Sequence, residues 1–508
     1  MTGQQILDLI SRGGNDYRLT RFVILRMLGI VYAVAFLVAA NQLVPLIGSH
    51  GLTPAVTFLH RVESHFGSTE AGMLQLPTLF WFGISDSGLT TFAWVGFGLS
   101  LIVVAGYANA ILLVILWAMY MSIVHIGQIW YGYGWETQLL ETGFLSIFLC
   151  PLFDVRPFPR RPPPILVMWL FRWLGFRIMV GAGLIKLRGD SCWRDLTCMY
   201  YHYETQPIPN PISRYLHFAP HWFHKIETLA NHFVELVVPW FSFGPRIARH
   251  IAGVLMIGFQ VLLIVSGNLS FLNYLTIIPF LACLDDSFWR RILPRIIVRQ
   301  MDNVEPDREV SQIQVGIAGC LTALVCWLSV APVANLISDQ QVMNTSFNPL
   351  ELVNTYGAFG SVGRERNEII FEGTTDPSIT GGTQWRPYEF KAKPGDPNRR
   401  PPFIAPYQPR IDWQIWFAAM ASPAQYPWTL HFVWRLLHND RGTLSLLANN
   451  PFPNEPPRYI RARLYRYRFA RLGENRWWIR EPVGEWLPAL STDDSEFRRV
   501  LTAMDWLD

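Results

Sequence analysis

Residues 165–187 read ILVMWLFRWLGFRIMVGAGLIKL, and residues 188–211 read RGDSCWRDLTCMYYHYETQPIPNP. The first stretch is long and apolar enough to cross a bilayer as a helix, because a crossing takes about 20 such residues. The second stretch is crowded with ionisable, thiol and aromatic side chains. This junction predicts a transmembrane helix whose end opens onto a polar segment outside the hydrocarbon core.

The composition of the whole chain also indicates a membrane protein. Hydrophobic residues make up 51% of the 508 residues, charged residues make up only 16%, and the mean hydropathy is +0.20. An ordinary soluble enzyme is more polar than this. The formal net charge of +4 is spread over many loops rather than gathered in one basic block, which argues against nucleic-acid binding.

Apolar runs of roughly 20 residues predict about nine transmembrane segments. The runs lie near residues 22–40, 89–105, 110–126, 136–152, 165–187, 227–243, 250–266, 269–284 and 312–335. Arg26 inside the first run, with no small-residue cleavage pattern after it, indicates a retained anchor rather than a signal peptide. The sixth run is the weakest, and the parity of the topology changes if it does not cross.

Arginine clusters predict the orientation. They precede the first run and follow the fourth, sixth and eighth runs: Arg12, Arg18 and Arg21; Arg156, Arg160 and Arg161; Arg246 and Arg249; Arg290, Arg291, Arg295 and Arg299. With nine crossings all four clusters share one side, which the positive-inside rule makes cytoplasmic. The polar segment near residues 188–226 and the chain after residue 338 are then non-cytoplasmic.

We therefore predict a mainly α fold, with a polytopic helical membrane bundle in residues 1–338 and a small, mainly β soluble domain in residues 339–508. Glycine and proline become frequent in the second part, and runs such as NEIIFEG and RLYRYRFA alternate partially between apolar and polar residues, as strands do. The runs WQIWFAAM and LHFVWRLL are expected to form short amphipathic helices that pack on this domain or on the membrane surface.

Cys192 and Cys198 stand apart from the four cysteines that lie in or beside apolar runs. Their side is predicted to be oxidising. A disulfide requires CWRDLTC to bend, because residues six apart in a regular helix rise about 9 Å along its axis, beyond disulfide reach. A disulfide and two buried free thiols both remain open here, with metal or redox chemistry as a third, less favoured alternative, and no cofactor is predicted.

The sequence resembles the lipase maturation factor family. The signature region is residues 183–241, GLIKLRGDSCWRDLTCMYYHYETQPIPNPISRYLHFAPHWFHKIETLANHFVELVVPWF, and residues 130–145, WYGYGWETQLLETGFL, are similar to the segment that precedes it. The resemblance covers most of the membrane part and, more loosely, the C-terminal domain. It implies a multi-pass membrane protein, of the endoplasmic reticulum in eukaryotes, that helps secreted dimeric lipases to fold and assemble. A bacterial member would lie in the inner membrane.

A second, shorter resemblance concerns Lys186. GAGLIKL followed by an acidic residue and Trp193 is similar to the G-L-x-K-L…W element of the vitamin K-dependent γ-glutamyl carboxylases and their bacterial membrane relatives. In that family the lysine in this place is a catalytic base, which implies the same role for Lys186. This chain inserts RGDSC before the tryptophan, so the resemblance supports a related helical bundle better than a shared reaction.

The charged residues at membrane depth allow two readings. Lys186 is either an interfacial lysine that reaches towards water or a lysine in a cavity that accepts a proton. Arg172 and Arg177 lie inside the same apolar run, where ionisable groups are costly and need partners. Glu136 and Glu141 of the fourth run are the candidate partners, and a structural ion pair is favoured over catalysis.

A polar stripe follows one face of the segment HWFHKIETLANHFVELVVPW. At 100° per residue, His224, Glu227, Asn231 and Glu235 share an arc of about 80°, and apolar residues occupy the opposite face. Such a stripe either lines a polar interior, lies wet in the membrane interface or, less often, binds a divalent metal.

Two functional hypotheses follow for the non-cytoplasmic end of the bundle. A maturation factor would offer a semi-apolar groove to an exported client protein, such as a dimeric lipase, beside the C-terminal domain. A membrane-embedded enzyme would instead use Lys186 as a base on an amphipathic or protein substrate. The predicted client-facing or substrate-facing residues are Arg177, Glu141, Trp193, Arg194, Asp195, His202, Glu204, His224, Glu227 and Glu235.

Short catalytic signatures are absent from the sequence, which contains no G-x-S-x-G elbow, P-loop, H-E-x-x-H or dinucleotide fingerprint. This favours the folding-factor hypothesis over the enzyme hypothesis. The expected partners are the lipid bilayer and an exported client protein, with no nucleic acid.

Overall fold

A computed structural model describes residues 13–307 and 311–507; Arg12 of the first arginine cluster lies outside these ranges. The described part is mainly helical. Up to residue 337 the helices are α1 (Arg18–Ile47), α2 (Ala55–Phe66), α3 (Thr69–Gln75), α4 (Asp86–Ala105), α5 (Ala110–Ile126), α6 (Gly134–Ile147), α7 (Ile165–Arg188), α8 (Ser191–Arg194), α9 (Met199–Thr205), α10 (Pro211–His217), α11 (His221–His232), α12 (Arg246–Ser266), α13 (Leu272–Leu281), α14 (Asp286–Ile292), α15 (Arg295–Asp302), α16 (Gln312–Leu328) and α17 (Val330–Ile337).

Several of these helices identify a multi-pass membrane protein. By length and composition, five helical stretches among the described residues can cross a bilayer: Gly14–Ile47, Asp86–Ala105, Ile165–Arg188, Arg246–Ser266 and Gln312–Ile337. The apolar helices α5 and α13 are shorter. The predicted number of nine crossings is therefore not confirmed by this criterion.

The sixth predicted segment, residues 227–243, is not one continuous α-helix. Helix α11 ends at His232, a π-helical turn covers Phe233–Val237, and a 3-10 helix covers Val238–Phe243. Pro239 explains part of this change, because proline lacks the N–H that an α-helix needs and its ring collides with the preceding turn. The segment nevertheless runs antiparallel beside α7, because its later residues contact earlier residues of that helix. Glu235 pairs with Lys186, Trp240 packs on Phe176 with 4.8 Å between ring centres, and Phe243 stacks on Trp169 at 5.9 Å.

The C-terminal region contains a small antiparallel sheet with helices around it. Its strands are β1 (Arg366–Thr374), β2 (Arg386–Pro387), β3 (Tyr459–Phe469) and β4 (Trp478–Leu490), in the order β2-β1-β3-β4. The helices are α18 (Arg410–Ala418), α19 (Trp428–Leu437), α20 (Arg441–Ser445) and α21 (Ser495–Ala503). The description "mainly β" therefore overstates the strand content of this region, because three helices lie between β2 and β3 and a fourth follows β4.

The two helices predicted from WQIWFAAM and LHFVWRLL are present as α18 and α19. Phe432 of α19 packs edge-on against Phe371 of β1, with 5.1 Å between ring centres. Ile369, which lies opposite Leu464 in the β1–β3 register, faces the same core. The other face of the sheet carries a small separate cluster of Ile370, Tyr467, Phe469 and Trp478.

The membrane bundle and the C-terminal region share one hydrophobic core. A single cluster of buried side chains extends from Leu28 and Tyr32 of α1 through Leu139 of α6 to Phe371 and Phe432 of the C-terminal region. The domain boundary at residue 338 stays a prediction, but the two parts are packed against each other rather than joined by a linker alone.

Gly181 of α7 marks a close contact between that helix and the chain after the bundle. A Cβ atom at this position would lie 2.4 Å from the main-chain oxygen of Tyr356. The backbone at Tyr356 cannot easily move away to make room for it. Replacing Gly181 with alanine is therefore expected to lower the free energy of unfolding by about 1–3 kcal/mol. Thermal unfolding of the purified full chain in detergent measures the effect.

Gly258→Ala is the matched control, because a Cβ at Gly258 of α12 meets nothing within 4 Å. Its unfolding temperature should equal or exceed that of the parent protein, since alanine is the better helix former. Equal unfolding temperatures for the two variants would contradict the close contact at Gly181.

Candidate functional site

Lys186 is a buried ammonium with a complete set of partners. It lies in the last turn of α7, is 4% exposed, and donates to Glu235 Oε1 at 2.5 Å and to Asn231 Oδ1 at 3.1 Å. Asn231 in turn donates to Glu235 Oε2 at 2.9 Å. The indole of Trp193 covers the ammonium at 5.1 Å from the ring centre. A buried charge pair needs such hydrogen bonds to offset its desolvation.

His202 of α9 lies close enough to Lys186 to respond to its charge. The imidazole is 8% exposed and packs edge-on against Phe359, with 4.8 Å between ring centres. Burial, and secondarily the positive charge of Lys186, lower the pKa of His202 to about 4. The imidazole is consequently neutral at neutral pH.

Acidification is expected to destabilise the protein through His202. Its pKa is about 4 in the folded chain against an ordinary value of 6.5, so the unfolded chain binds more protons between these pH values. The contribution of neutral His202 to the free energy of unfolding is fully present above pH 6.5 and is lost as the pH falls towards 4. The variant His202→Phe should show a flatter dependence of unfolding temperature on pH over this window. An unchanged slope would contradict the assignment.

Arg177 and Glu141 form a second, separate buried pair. The Arg177 guanidinium donates to Glu141 and, at 2.6 Å, to the main-chain oxygen of Asn354. Glu141 also accepts from the main-chain N–H of Asn354 at 3.1 Å and from the Tyr356 hydroxyl at 2.7 Å. Arg177 precedes Lys186 by nine residues, about 13 Å along a helix, so the two pairs do not converge on one reaction centre.

The other two charged groups predicted at membrane depth have different partners from those expected. Arg172 donates to the Tyr17 hydroxyl at 2.7 Å and to the main-chain oxygen of Ala282 at 2.9 Å, and therefore does not pair with either glutamate. Glu136 pairs instead with Arg410 of α18, with 2.9 Å between Nη1 and Oε1, and both side chains are 0% exposed. The C-terminal region thus supplies the partner of a membrane glutamate.

The segment after α7 is held in a tight bend. Asp190 caps the short helix α8 by accepting from the Cys192 N–H at 3.0 Å. Leu196 then adopts a left-handed conformation with φ +60°, which turns the chain back. Cys192 and Cys198 consequently lie 4.8 Å apart at Cα and are joined by a disulfide. The bend that the sequence analysis required is therefore present.

The pair Cys192→Ser and Cys198→Ser tests the disulfide. Opening a loop this short should cost about 2 kcal/mol of unfolding free energy by the chain-entropy estimate. A maleimide-polymer gel assay of the denatured chain should label neither Cys192 nor Cys198 before reduction and both after it. Labelling of either cysteine in the denatured but unreduced chain would contradict the bridge, and Cys320→Ser on α16 is the control for stability.

The disulfide also affects whether Asp190, Cys192 and Cys198 could bind a metal ion. Asp190, Cys192 and Cys198 offer ligand atoms within 4.8 Å of one another, the one such group of three or more among the described residues. A metal binds the thiolate form of cysteine, and here the two sulfurs are bonded to each other. The oxidised chain therefore has no thiolate to offer at this position.

The predicted polar stripe is divided between two environments. Asn231 and Glu235 contact Lys186, whereas His224 Nδ1 lies 2.9 Å from Glu227 Oε2 and Glu227 Oε1 accepts from the Tyr203 hydroxyl at 2.6 Å. The stripe therefore ties α11 to α7 at one end and to α9 at the other.

Glu204 belongs to the junction with the C-terminal sheet. It accepts from the Phe469 N–H of β3 at 2.7 Å, and burial raises its pKa. Arg194 and Asp195, by contrast, are exposed. Arg194 donates to the main-chain oxygen of Leu187 at 2.7 Å, which closes the segment onto the end of α7.

Arg366 is the main junction residue that the sequence analysis missed. This fully buried arginine at the start of β1 donates to three carbonyl groups at the end of α9 and in the connection to α10, those of Glu204, Gln206 and Pro207, at 3.0, 2.5 and 2.9 Å. Its charge is balanced by Glu368 at 2.5 Å. The only available signal was the alternation of RNEIIFEG, which marks a strand but not its partner.

Two protein-family models and several known proteins are similar to this chain. The families described as Lipase maturation factor transmembrane domain and Lipase maturation factor C-terminal domain match residues 19–291 and 352–488. Lipase maturation factor 1 of Bos taurus is 50% identical over 516 residues, 96% of this chain and 91% of that protein. The Homo sapiens protein of that name is 48% identical, covering 94% of this chain and 88% of its own length.

A more distant relative covers nearly the same length. Lipase maturation factor 2 of Rattus norvegicus is 28% identical over 610 residues, 95% of this chain and 85% of that protein. No solved structure matches the chain significantly.

Proposed function

The chain belongs to the lipase maturation factor family, and on that premise we propose that it assists the folding or assembly of exported lipases from within a membrane. The observation that carries the proposal is similarity at about half of all positions along nearly the entire length of a protein named for that role. Both the membrane part and the C-terminal part match, so the proposal rests on the whole architecture rather than on one motif.

The pairing of the buried charges supports a folding factor more than an enzyme. The catalytic-base alternative needs Lys186 to accept a proton from a substrate, but its ammonium already donates to Glu235 and Asn231. The second candidate pair, Arg177 and Glu141, lies at a different depth and binds the main chain of Asn354. These contacts hold helices and the following chain together. The client-facing role of the site residues stays a prediction.

We further propose nine passages of the chain through the bundle, including the short helices. The contacts of successive helices support alternation between two ends: the α5 start bonds to Pro151 at 3.0 Å, and the α12 start pairs with Asp285 through Arg246 at 2.7 Å. The α12 end, in contrast, contacts Ser213, which donates to the Ser266 oxygen at 2.8 Å. The antiparallel run beside α7 supplies the sixth passage.

The proposed compartment follows from this alternation. The arginines of the clusters within the described residues lie at one end, where Arg21 donates to the main-chain oxygen of Arg161 at 2.8 Å and Arg246 pairs with Asp285. The positive-inside rule assigns this end to the cytoplasm. The disulfide and the C-terminal region lie at the other end, which suits an oxidising compartment. We place the chain in the endoplasmic reticulum membrane of a eukaryotic cell, or the inner membrane of a bacterium, with its C-terminal region on the non-cytoplasmic side.

The test is complementation of a cell line that lacks its own lipase maturation factor. The full chain is expressed together with a dimeric secreted lipase, and both lipase activity and lipase protein in the medium are measured. We expect an increase in activity per amount of secreted lipase, because a folding factor raises the active fraction. A secreted non-lipase enzyme is the control and should not change.

Two outcomes would contradict the proposal. One is a chain that accumulates normally in the membrane and leaves the active fraction of the lipase unchanged. The other is an equal increase for the control enzyme, which would indicate a general effect on secretion.

A further inference from the structure

Helices α14 and α15 lie at the end of the bundle where α1 begins. Asp286 in the first turn of α14 accepts the main-chain N–H groups of Arg18 and Leu19 at 3.1 and 2.8 Å. It thereby satisfies N–H groups that every helix leaves unpaired at its start. A residue that caps the first turn of a transmembrane helix lies at the boundary between hydrocarbon and water. The two short helices therefore run along that boundary.

The outer surface of these helices combines apolar and basic side chains. Ile292 and Ile296 are 60% and 68% exposed. Arg291, Arg295 and Arg299 are exposed beside them. Because Arg295 and Arg299 are four residues apart, they share one face of α15, and Ile296 lies next to Arg295. An apolar strip edged by arginines is the pattern of a segment that lies in a membrane interface.

The three arginines have no acidic partner within the described residues, unlike their neighbours. Arg290 is bound by both oxygens of Asp302, at 3.1 and 2.6 Å, and so joins α14 to α15. Arg161 pairs with Asp307 at 3.9 Å. The nearby aspartates are thus engaged, and the positive charge of Arg291, Arg295 and Arg299 remains available.

We propose that α14 and α15 form a binding surface for anionic phospholipids. The exposed isoleucines enter the acyl region of the adjacent leaflet, and the guanidinium groups of Arg291, Arg295 and Arg299 bind phosphate and carboxylate groups of the headgroups. Guanidinium is suited to this role because it donates to two oxygens of a phosphate or carboxylate at once. The positive charge of the arginines selects anionic headgroups. The neighbouring isoleucines contact the acyl chains of the same lipids.

The test is a binding titration with the full-length protein in a neutral detergent. Fluorescent phosphatidylserine is titrated in, and phosphatidylcholine with the same fluorophore and chains is the reference. Each basic residue near an anionic lipid surface strengthens binding roughly five-fold, and a single headgroup contacts one or two guanidinium groups at a time. The triple variant Arg291→Gln, Arg295→Gln and Arg299→Gln should therefore bind phosphatidylserine about 5- to 25-fold more weakly. Its affinity for phosphatidylcholine should not change.

A variant with the same change of charge is the control. Arg441, Arg458 and Arg498 are exposed in the C-terminal region, and their replacement by glutamine should leave both affinities unchanged. The affinity of the parent protein for phosphatidylserine should also fall as the salt concentration is raised. This measurement does not depend on the folding of any variant. Equal affinity for the two lipids, or full binding by the first triple variant, would overturn the proposal. Competition by soluble glycerophosphoserine as strong as by the intact lipid would overturn it in favour of a free anion.

Discussion

Replacing Glu136 with leucine should remove most of the folded protein from the membrane. The variant leaves the Arg410 guanidinium buried without its carboxylate, 0% exposed between α18 and the start of α6. An arginine does not lose its proton in a protein, so the guanidinium stays charged without a partner. The expected decrease in the free energy of unfolding is about 3–5 kcal/mol. The stacking of Arg410 over Tyr131, 3.4 Å from the ring centre, offsets this only in part. Membrane abundance and thermal unfolding measure the loss.

The variant Arg410→Met, which removes the other partner of the pair, should lower the free energy of unfolding by less. Arg410→Met leaves Glu136, which can take up a proton and also accepts the Tyr120 hydroxyl. The double variant Glu136→Leu with Arg410→Met should recover much of the stability, because replacing both partners of a buried pair by apolar residues is often neutral.

An exposed ion pair provides the control for Glu136. Arg468 and Glu481 lie 2.6 Å apart with side chains 55% and 50% exposed. Glu481→Leu should therefore change stability by at most about 1 kcal/mol. If it destabilised the protein as strongly as Glu136→Leu does, burial would not be the cause. If the double variant Glu136→Leu with Arg410→Met did not recover stability, the loss in Glu136→Leu would come from disrupted packing rather than from the unpaired charge.

Replacing Lys186 with alanine should lower both the amount of protein and the secreted lipase activity. The variant leaves Glu235 buried and 4% exposed, with Asn231 as its remaining partner. The expected loss is again about 3–5 kcal/mol. Lys186→Arg should restore part of both readouts, because arginine also supplies a charged donor. The assays are complementation of the factor-deficient cell line and quantification of the membrane protein.

The double variant Lys186→Met with Glu235→Leu separates structure from chemistry. A structural ion pair predicts that this variant accumulates and still supports lipase activity. If it accumulates normally but gives no active lipase, the lysine does more than hold α7 against α11. An arginine variant that accumulates normally but is inactive would point to proton transfer.

The membrane part of the fold was predictable because the bilayer constrains the sequence strongly. Apolar length marks the long helices, and the cost of charge at membrane depth pointed to Arg177 and Glu141 as partners, which the structure places in contact. A bend in CWRDLTC was deduced as a requirement for bridging Cys192 and Cys198, but neither its occurrence nor its position at Leu196 could be deduced from residue types. A left-handed leucine has no local sequence signature.

Partners that lie far apart along the chain were not predictable from pattern alone. Arg410 and Arg366 occur in a region whose composition indicates a soluble domain, so nothing local assigns them to Glu136 or to the α9–α10 connection. The change from α-helix to π and 3-10 helix after His232 was also missed. Apolar content and Pro239 are compatible with either a kinked α-helix or a different helix type, and packing decides between them.

The distance between Glu136 and Arg410 in the chain affects how this protein is made. The partners are 274 residues apart, so a ribosome adding 5–20 residues per second needs roughly 14–55 s to deliver the arginine after the glutamate. During that interval the nascent bundle carries an unmatched acidic group beside lipid or the insertion machinery. A protein proposed to help others fold therefore spends tens of seconds of its own synthesis incompletely folded, with Glu136 unpaired. The yield of folded protein should be sensitive to the speed of translation.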